Sequence, residues 1–90
     1  MTFSLVARCA ETGMFGLVIS SSSPAVAARC SFARAGVGAA ASQNVTDPTL
    51  GPLTLDLIQG GMPAAEAIAR IQSEGKFIEY RQVLAIDAKG

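Results

Sequence analysis

Residues 3–20, FSLVARCAETGMFGLVIS, decide how the rest of the chain is read. Phe3 to Cys9 alternates imperfectly between apolar and polar side chains, the pattern of a strand. Glu11-Thr12-Gly13 is a turn signal. Met14 to Ser20 is nearly all apolar and predicts a second strand, buried on both faces. A connection this short makes the pair an antiparallel hairpin. Counting outward from the turn sets Thr2 opposite Ser21 or Ser22. The hydroxyl-rich run Ser20-Ser21-Ser22-Ser23 therefore lies beside the start of the first strand, and Pro24 ends it.

Beyond the hairpin, Ala25 to Ala33 is ambiguous. Its alanines favour helix, while its brevity and neighbours favour an irregular strand. Gly36 to Gln43 (GVGAAASQ) reads as a strand whose glycines allow close backbone approach. Asn44 to Pro52 has the turn chemistry of a loop. Leu53, Leu57 and Ile58 make one face of a short helix that Gly60-Gly61 stops. Pro63 opens a second helix. There Ala64, Ala67, Ile68 and Ile71 face inward, Glu66 and Arg70 form an outward pair, and Gly75 closes the helix. Tyr80 to Ile86 reads as a final buried strand. Asp87-Ala88-Lys89-Gly90 reads as a hairpin turn of the kind that feeds another strand. Consecutive strands, then two helices, then a strand predict an α+β fold, an antiparallel sheet with two packed helices.

Composition narrows the function classes. Of the 90 residues half are hydrophobic and 16% are charged, against about 25% in an ordinary globular chain. A small domain has little interior in which to hide that surface, which suggests a large contact with another chain. Seven basic and seven acidic residues are scattered singly, with no basic patch, so nucleic acid is not the expected partner. No apolar run approaches the ~18 residues of a membrane span, and the N-terminus lacks a signal-peptide pattern. These features predict a cytoplasmic protein whose Cys9 and Cys30 are reduced, buried thiols. Two cysteines and no histidine argue against a zinc site. They also exclude a Ser-His-Asp or Cys-His site built from this chain alone. No cofactor motif is present.

Several segments together resemble a bacterial family catalogued as domain of unknown function 1028. They are MTFSLVAR with ETG and a following glycine, AGVGA at 35–39, Ser42-Gln43, and LGPLTLDLIQGG at 50–61. AAEAIA at 64–69 and YRQ followed by IDAKG complete the set. The resemblance runs through the whole chain in one register, and family members are usually more than twice as long. The family is grouped with the N-terminal nucleophile (Ntn) hydrolases. That grouping implies a four-layer αββα sandwich, of which this chain would be the N-terminal part. It also implies a mechanism without histidine or cofactor. A Thr, Ser or Cys at a chain's N-terminus attacks an amide carbonyl, and its own α-amine, of pKa near 8, serves as base. Many family members carry Ser-Lys where this chain has Ser21-Ser22, so the usual cation near the nucleophile is missing.

Two positions can supply the nucleophile under this resemblance. In the first reading the precursor cleaves itself after Gly90. The nucleophile then begins a second (β) chain, and this chain is the α subunit of a heterodimer within a higher oligomer. The substrate is a small-molecule amide. Glycine tolerates the strained backbone of the acyl shift, and Asp87 is placed to assist it. In the alternative, removal of Met1 exposes Thr2 as the nucleophile. Ser21, Ser22, Gln43, Asn44 and Arg81 are the candidate substrate-binding residues. Each also has a plainer role, in turns and strand ends for the first four and in an ion pair for Arg81. A binding or structural Ntn-like subunit without catalysis is the remaining alternative.

Overall fold

In the computed structural model, which describes residues 1–90, the hairpin forms as two seven-residue strands. These are β1 (Thr2–Arg8) and β2 (Phe15–Ser21), antiparallel, with Thr2 opposite Ser21 and Arg8 opposite Phe15. The connecting turn closes through Cys9 N–H to the Met14 carbonyl and Gly13 N–H to the Cys9 carbonyl, both 2.9 Å. Gly13 takes φ +74°, a conformation that favours glycine. Contrary to expectation, β2 is not buried on both faces. Leu17 and Ile19 point inward with Val6 of β1, while Val18 is 67% exposed and, on β1, Phe3 67% and Leu5 56%. The hairpin carries apolar side chains on both faces but only one is covered here.

The ambiguous stretch resolves into both alternatives in turn. α1 (Val26–Cys30) is a single helical turn, and β3 (Ser31–Arg34) follows it. β4 (Gly38–Asn44) and β5 (Arg81–Asp87) complete a second sheet in the order β3-β4-β5, all antiparallel. There are thus two antiparallel sheets rather than one. β1 packs over β4 and β5, and β2 over β3 and β4. α2 (Leu50–Gln59) and α3 (Ala64–Glu74) cover the opposite face of the three-stranded sheet. The result is a small α+β domain with layers of helix, sheet and sheet.

β4 lies at the centre, and its composition explains why. Ala39, Ala40 and Ala41 are fully buried, and small side chains let the layers on both faces approach closely. At Gly38 an added Cβ would overlap the Ile86 backbone carbonyl of β5. Alternation sorts the side chains. Gln43 reaches Ser4 of β1, so residues 39, 41 and 43 face the hairpin. Residues 40, 42 and 44 face the helices. Across the β4–β5 pairing, Gln82, Leu84 and Ile86 share the hairpin side, and Arg81, Val83, Ala85 and Asp87 the helix side.

α2 starts earlier than its sequence pattern suggests. Asp47 accepts from the Thr49 N–H (3.0 Å) and hydroxyl (2.6 Å), which nucleates the turn within the expected loop. Pro52 then falls in the first turn, where its missing N–H costs nothing. The buried face is Leu50, Gly51, Thr54, Leu55 and Ile58, while Leu53 is 45% exposed. Gly51 seats the α2 backbone on the Phe32 ring. In α3, Ala67 and Ile71 are buried and Ala64 and Ile68 half-buried. Arg70 pairs with Glu74 at 3.5 Å rather than with Glu66. Tyr80 closes a 3-10 turn (Ile78–Tyr80) and is 57% exposed, so the last strand begins one residue later. Cys30 is buried, but Cys9 stands exposed at the hairpin turn, contrary to expectation. No helix is long and apolar enough to cross a membrane.

Candidate active site

The N-terminal end of β1 is held by hydroxyl and amide groups from three strands. Thr2 and Ser21 form a cross-strand pair, and their hydroxyl oxygens are 2.9 Å apart. Ser4, two residues on and on the same face, donates to Gln43 Oε1 at 2.6 Å. The Gln43 Nε2 donates to Gln82 Oε1 at 3.0 Å and lies 3.4 Å from the Thr2 carbonyl oxygen. Gln43 is 7% exposed, so this network lies in the layer between the sheets. A buried amide is tolerated because its donors and acceptors are met. Its cost if left unpaired makes the arrangement specific.

A cavity of about 640 Å³ opens beside this network. Thr2, Ser4, Gln43 and Gln82 give it a polar end, while Ile68, Ile71, Ile78, Val83 and Leu84 make an aliphatic wall. Arg81 is the one ionisable side chain in the lining. It lies on the helix side, 14% exposed, with Nη1 3.5 Å from Asp47 Oδ2. The Thr49 hydroxyl and N–H hold the Asp47 carboxyl below the usual carboxylate range, with a smaller pull from Arg81. Arg81 Nε is buried without an acceptor.

Of the residues singled out from sequence, Thr2, Gln43 and Arg81 line this one cavity, and Ser21 lies outside the lining but contacts Thr2. Ser22 is exposed and stands apart from the lining. Asn44 adopts φ +73° and donates its side-chain amide to the Tyr80 carbonyl at 2.9 Å, a structural role at the β4 end. Gly90 is exposed at the far end of β5, with φ +84°. Asp87 shapes the terminal turn by accepting from Lys89 N–H (2.9 Å), as its position suggested. It also accepts from the first N–H of α3, at Ala64 (2.7 Å), capping that helix from β5. Those two N–H groups, Ala64 first, pull the Asp87 carboxyl below its ordinary range. Sequence reasoning passed over Ser4 and Gln82. Ser4 was accessible through its same-face relation to Thr2, and Gln82 only through the β4–β5 register. No three His, Cys, Asp or Glu side chains gather closely enough to hold a metal ion.

Residues 2–90 match DUF1028, a family of unknown function. The chain belongs to this family. No curated protein matches it significantly. Among solved structures, the crystal structure of protein SPO2555 from Silicibacter pomeroyi, also DUF1028, superposes with a TM-score of 0.92 at 27% identity. The match covers 97% of this chain and 41% of that one. This DUF1028 chain therefore spans about two fifths of the length of that relative. The hairpin, the three-stranded sheet and both long helices all lie within the matched DUF1028 region.

Proposed function

We propose that this chain is the nucleophile-bearing part of an amide hydrolase in which Thr2, freed of Met1, attacks the substrate carbonyl. The observation that carries the reading is the Thr2 hydroxyl, 2.9 Å from that of Ser21, on the wall of the 640 Å³ cavity. Met1 is 90% exposed, which leaves it open to an aminopeptidase. Once it is gone, the Thr2 α-amine takes the proton of its own hydroxyl as the oxygen bonds to the carbonyl carbon. The amine passes that proton to the departing amine, and water then hydrolyses the threonyl ester. Ser21 orients the hydroxyl, and Ser4 and Gln43 fix the backbone on which it sits. The Ntn resemblance supports the same chemistry. It assigns the uncovered face with Phe3, Leu5 and Val18 to a second helical layer, which would complete an αββα sandwich. A cytoplasmic setting and a small amide substrate belong to the same reading.

Cleavage after Gly90 is the competing proposal, with a partner chain bearing the nucleophile. Its supports are the family resemblance and the glycine itself. The hydroxyl cluster favours Thr2. Six residue steps along β5 separate Arg81 from Asp87, roughly 20 Å, and the hydroxyls of Thr2, Ser4 and Ser21 lie at the Arg81 end. The test is intact mass followed by acylation with a β-lactone. Loss of Met1 and a single adduct on Thr2, absent in Thr2→Ala, supports the proposal. A protein that turns over an amide with Met1 retained, or with Thr2→Ala, refutes it.

A further inference from the structure

Successive residues of a strand point to opposite faces, so a cavity over one face of a sheet meets alternate residues. The cavity beside Thr2 instead meets Arg81, Gln82, Val83 and Leu84 in unbroken succession, and Thr2, Phe3 and Ser4 as well. It therefore runs along strand edges. β5 ends one sheet and β1 ends the other. Because β1 packs over β5 and β2 over β3, both free edges open on the same side. α3 forms the floor beyond β5 with Ile68 and Ile71.

The turn after β5 is of a kind that reverses the chain, although its Asp87, Ala88 and Lys89 line a separate hollow with Gly36 and Val37. Gly90 N–H donates to the Asp87 carbonyl at 3.0 Å, and Gly90 takes φ +84°. A turn followed by a left-handed glycine is a common hairpin connection, and it sends the backbone antiparallel along the strand it leaves. The inner side of Asp87 is already taken by Gly38 of β4. Only the outer edge of β5 is free to receive a returning strand.

We infer that this groove is the seat of an extended polypeptide strand, paired antiparallel with the free edge of β5 and delivered through the Asp87–Gly90 turn. The solved relative has chain to spare for it, since the matched part is 41% of its length. The groove dictates the strand's chemistry. One of its faces continues the layer of Leu84 and Ile86, beside the free edge of β1. The other continues Val83 and Ala85 under α3. The α3 side is covered by Ile68 and Ile71, so the strand residues facing α3 are apolar, on alternate positions at the least. Its far end comes beside Arg81, whose buried Nε has no acceptor within this chain. The inference does not depend on Thr2 being a nucleophile; the strand supplies the outer wall of the Thr2 cavity in either case.

The test extends the chain after Gly90 by a Val/Ile-rich strand as long as β5 and follows amide exchange by NMR. The β5 amides that exchange freely in the 90-residue chain should slow by ~100-fold or more, as for newly paired strand N–H groups. Gly90→Val should return them to the free rate. That substitution leaves the rest of the fold alone, because a Cβ at Gly90 meets nothing within 4 Å. Unchanged β5 exchange in an extended chain that is otherwise folded overturns the inference. So does equal protection in the unextended chain together with a dimer in light scattering, which would assign the edge to a second copy.

Discussion

Replacing Gly51 with alanine pits helix propensity against packing, and the structure decides the sign. Gly51 lies inside α2, where alanine is favoured over glycine by ~0.8–1 kcal/mol. The new methyl, however, would sit 2.6 Å from Phe32 Cγ and closer still to Cδ2. Carbon atoms pack comfortably at ~3.5–4.0 Å, so the nearest ring atom must retreat by roughly 1.5 Å. Cγ is the root of the ring, and it cannot move without turning the side chain off its rotamer or shifting β3. Overpacking of this kind costs ~1–3 kcal/mol, and contact at the ring's root puts Gly51→Ala near the upper end. The net loss is about 2 kcal/mol, which for a domain of this size lowers Tm by on the order of 10 °C. Thermal melts by circular dichroism read it directly. Phe32→Ala removes the offending atoms, so a double-mutant cycle should show favourable coupling of ~1 kcal/mol or more. If Gly51→Ala melts at or above the parent temperature, the close seating of α2 on β3 is wrong.

Three further outcomes are expected. Asp87 has a carboxyl held below its ordinary pKa by the N–H groups of Ala64 and Lys89. Its contribution to stability is therefore complete above the unfolded value of ~3.9 and is lost as pH falls through the lower folded value. Urea titrations should show Asp87→Asn less stable by ~1 kcal/mol at neutral pH through the weakened α3 cap, and less acid-sensitive. Cys9 is exposed, with its thiol pulled below the ordinary range chiefly by the Thr12 hydroxyl, whereas Cys30 is buried. A colorimetric thiol reagent should therefore label one cysteine per native chain quickly and the second only on denaturation. Finally, the exposed pair Leu5 and Val18 stand opposite one another on the outer face of the hairpin. Changing both to Thr should reduce dye binding and self-association while moving Tm by only a few degrees, since neither side chain is in the core.

The sequence made the hairpin legible because its signals are local. Thr2 opposite Ser21 follows from a turn at residues 11–13 and the two-residue period of strands. The division into two sheets is not legible in local signals, because nothing local says whether β1 pairs with β4 or stacks upon it; only the αββα resemblance implies two sheet layers. The same limit explains β2. An all-apolar run signals two covered faces, yet whether the second cover lies within these residues is a matter of topology. α2 was shortened at its start because Pro52 looked like a loop residue. The Asp47–Thr49 contacts that begin the helix depend on side-chain geometry rather than composition. Within the site, Thr2, Gln43 and Arg81 follow from residue type and position, while a register good to one residue leaves both Ser21 and Ser22 opposite Thr2, and the fold selects Ser21.

The site and the open edge constrain each other. Thr2 starts a strand whose inward face is fixed by Ser4 and Gln43, yet whose outer edge faces the groove. Under the proposed function, Thr2 needs rigid placement together with access for its substrate. Inter-sheet hydrogen bonds give the first without closing the second. A strand returning along β5 would narrow the groove and leave the polar end at Thr2 open, because β1 begins there. The polar lining of the cavity gathers at the Thr2 end, while its aliphatic wall faces the space such a strand would fill. Ser4→Ala separates the two functions. It removes a support of Gln43, 2.6 Å away, without touching the β5 edge. Loss of Thr2 acylation with β5 pairing intact is the expected pattern. Parallel loss of both would mean that the hydroxyl network holds the sheets together rather than the nucleophile in place.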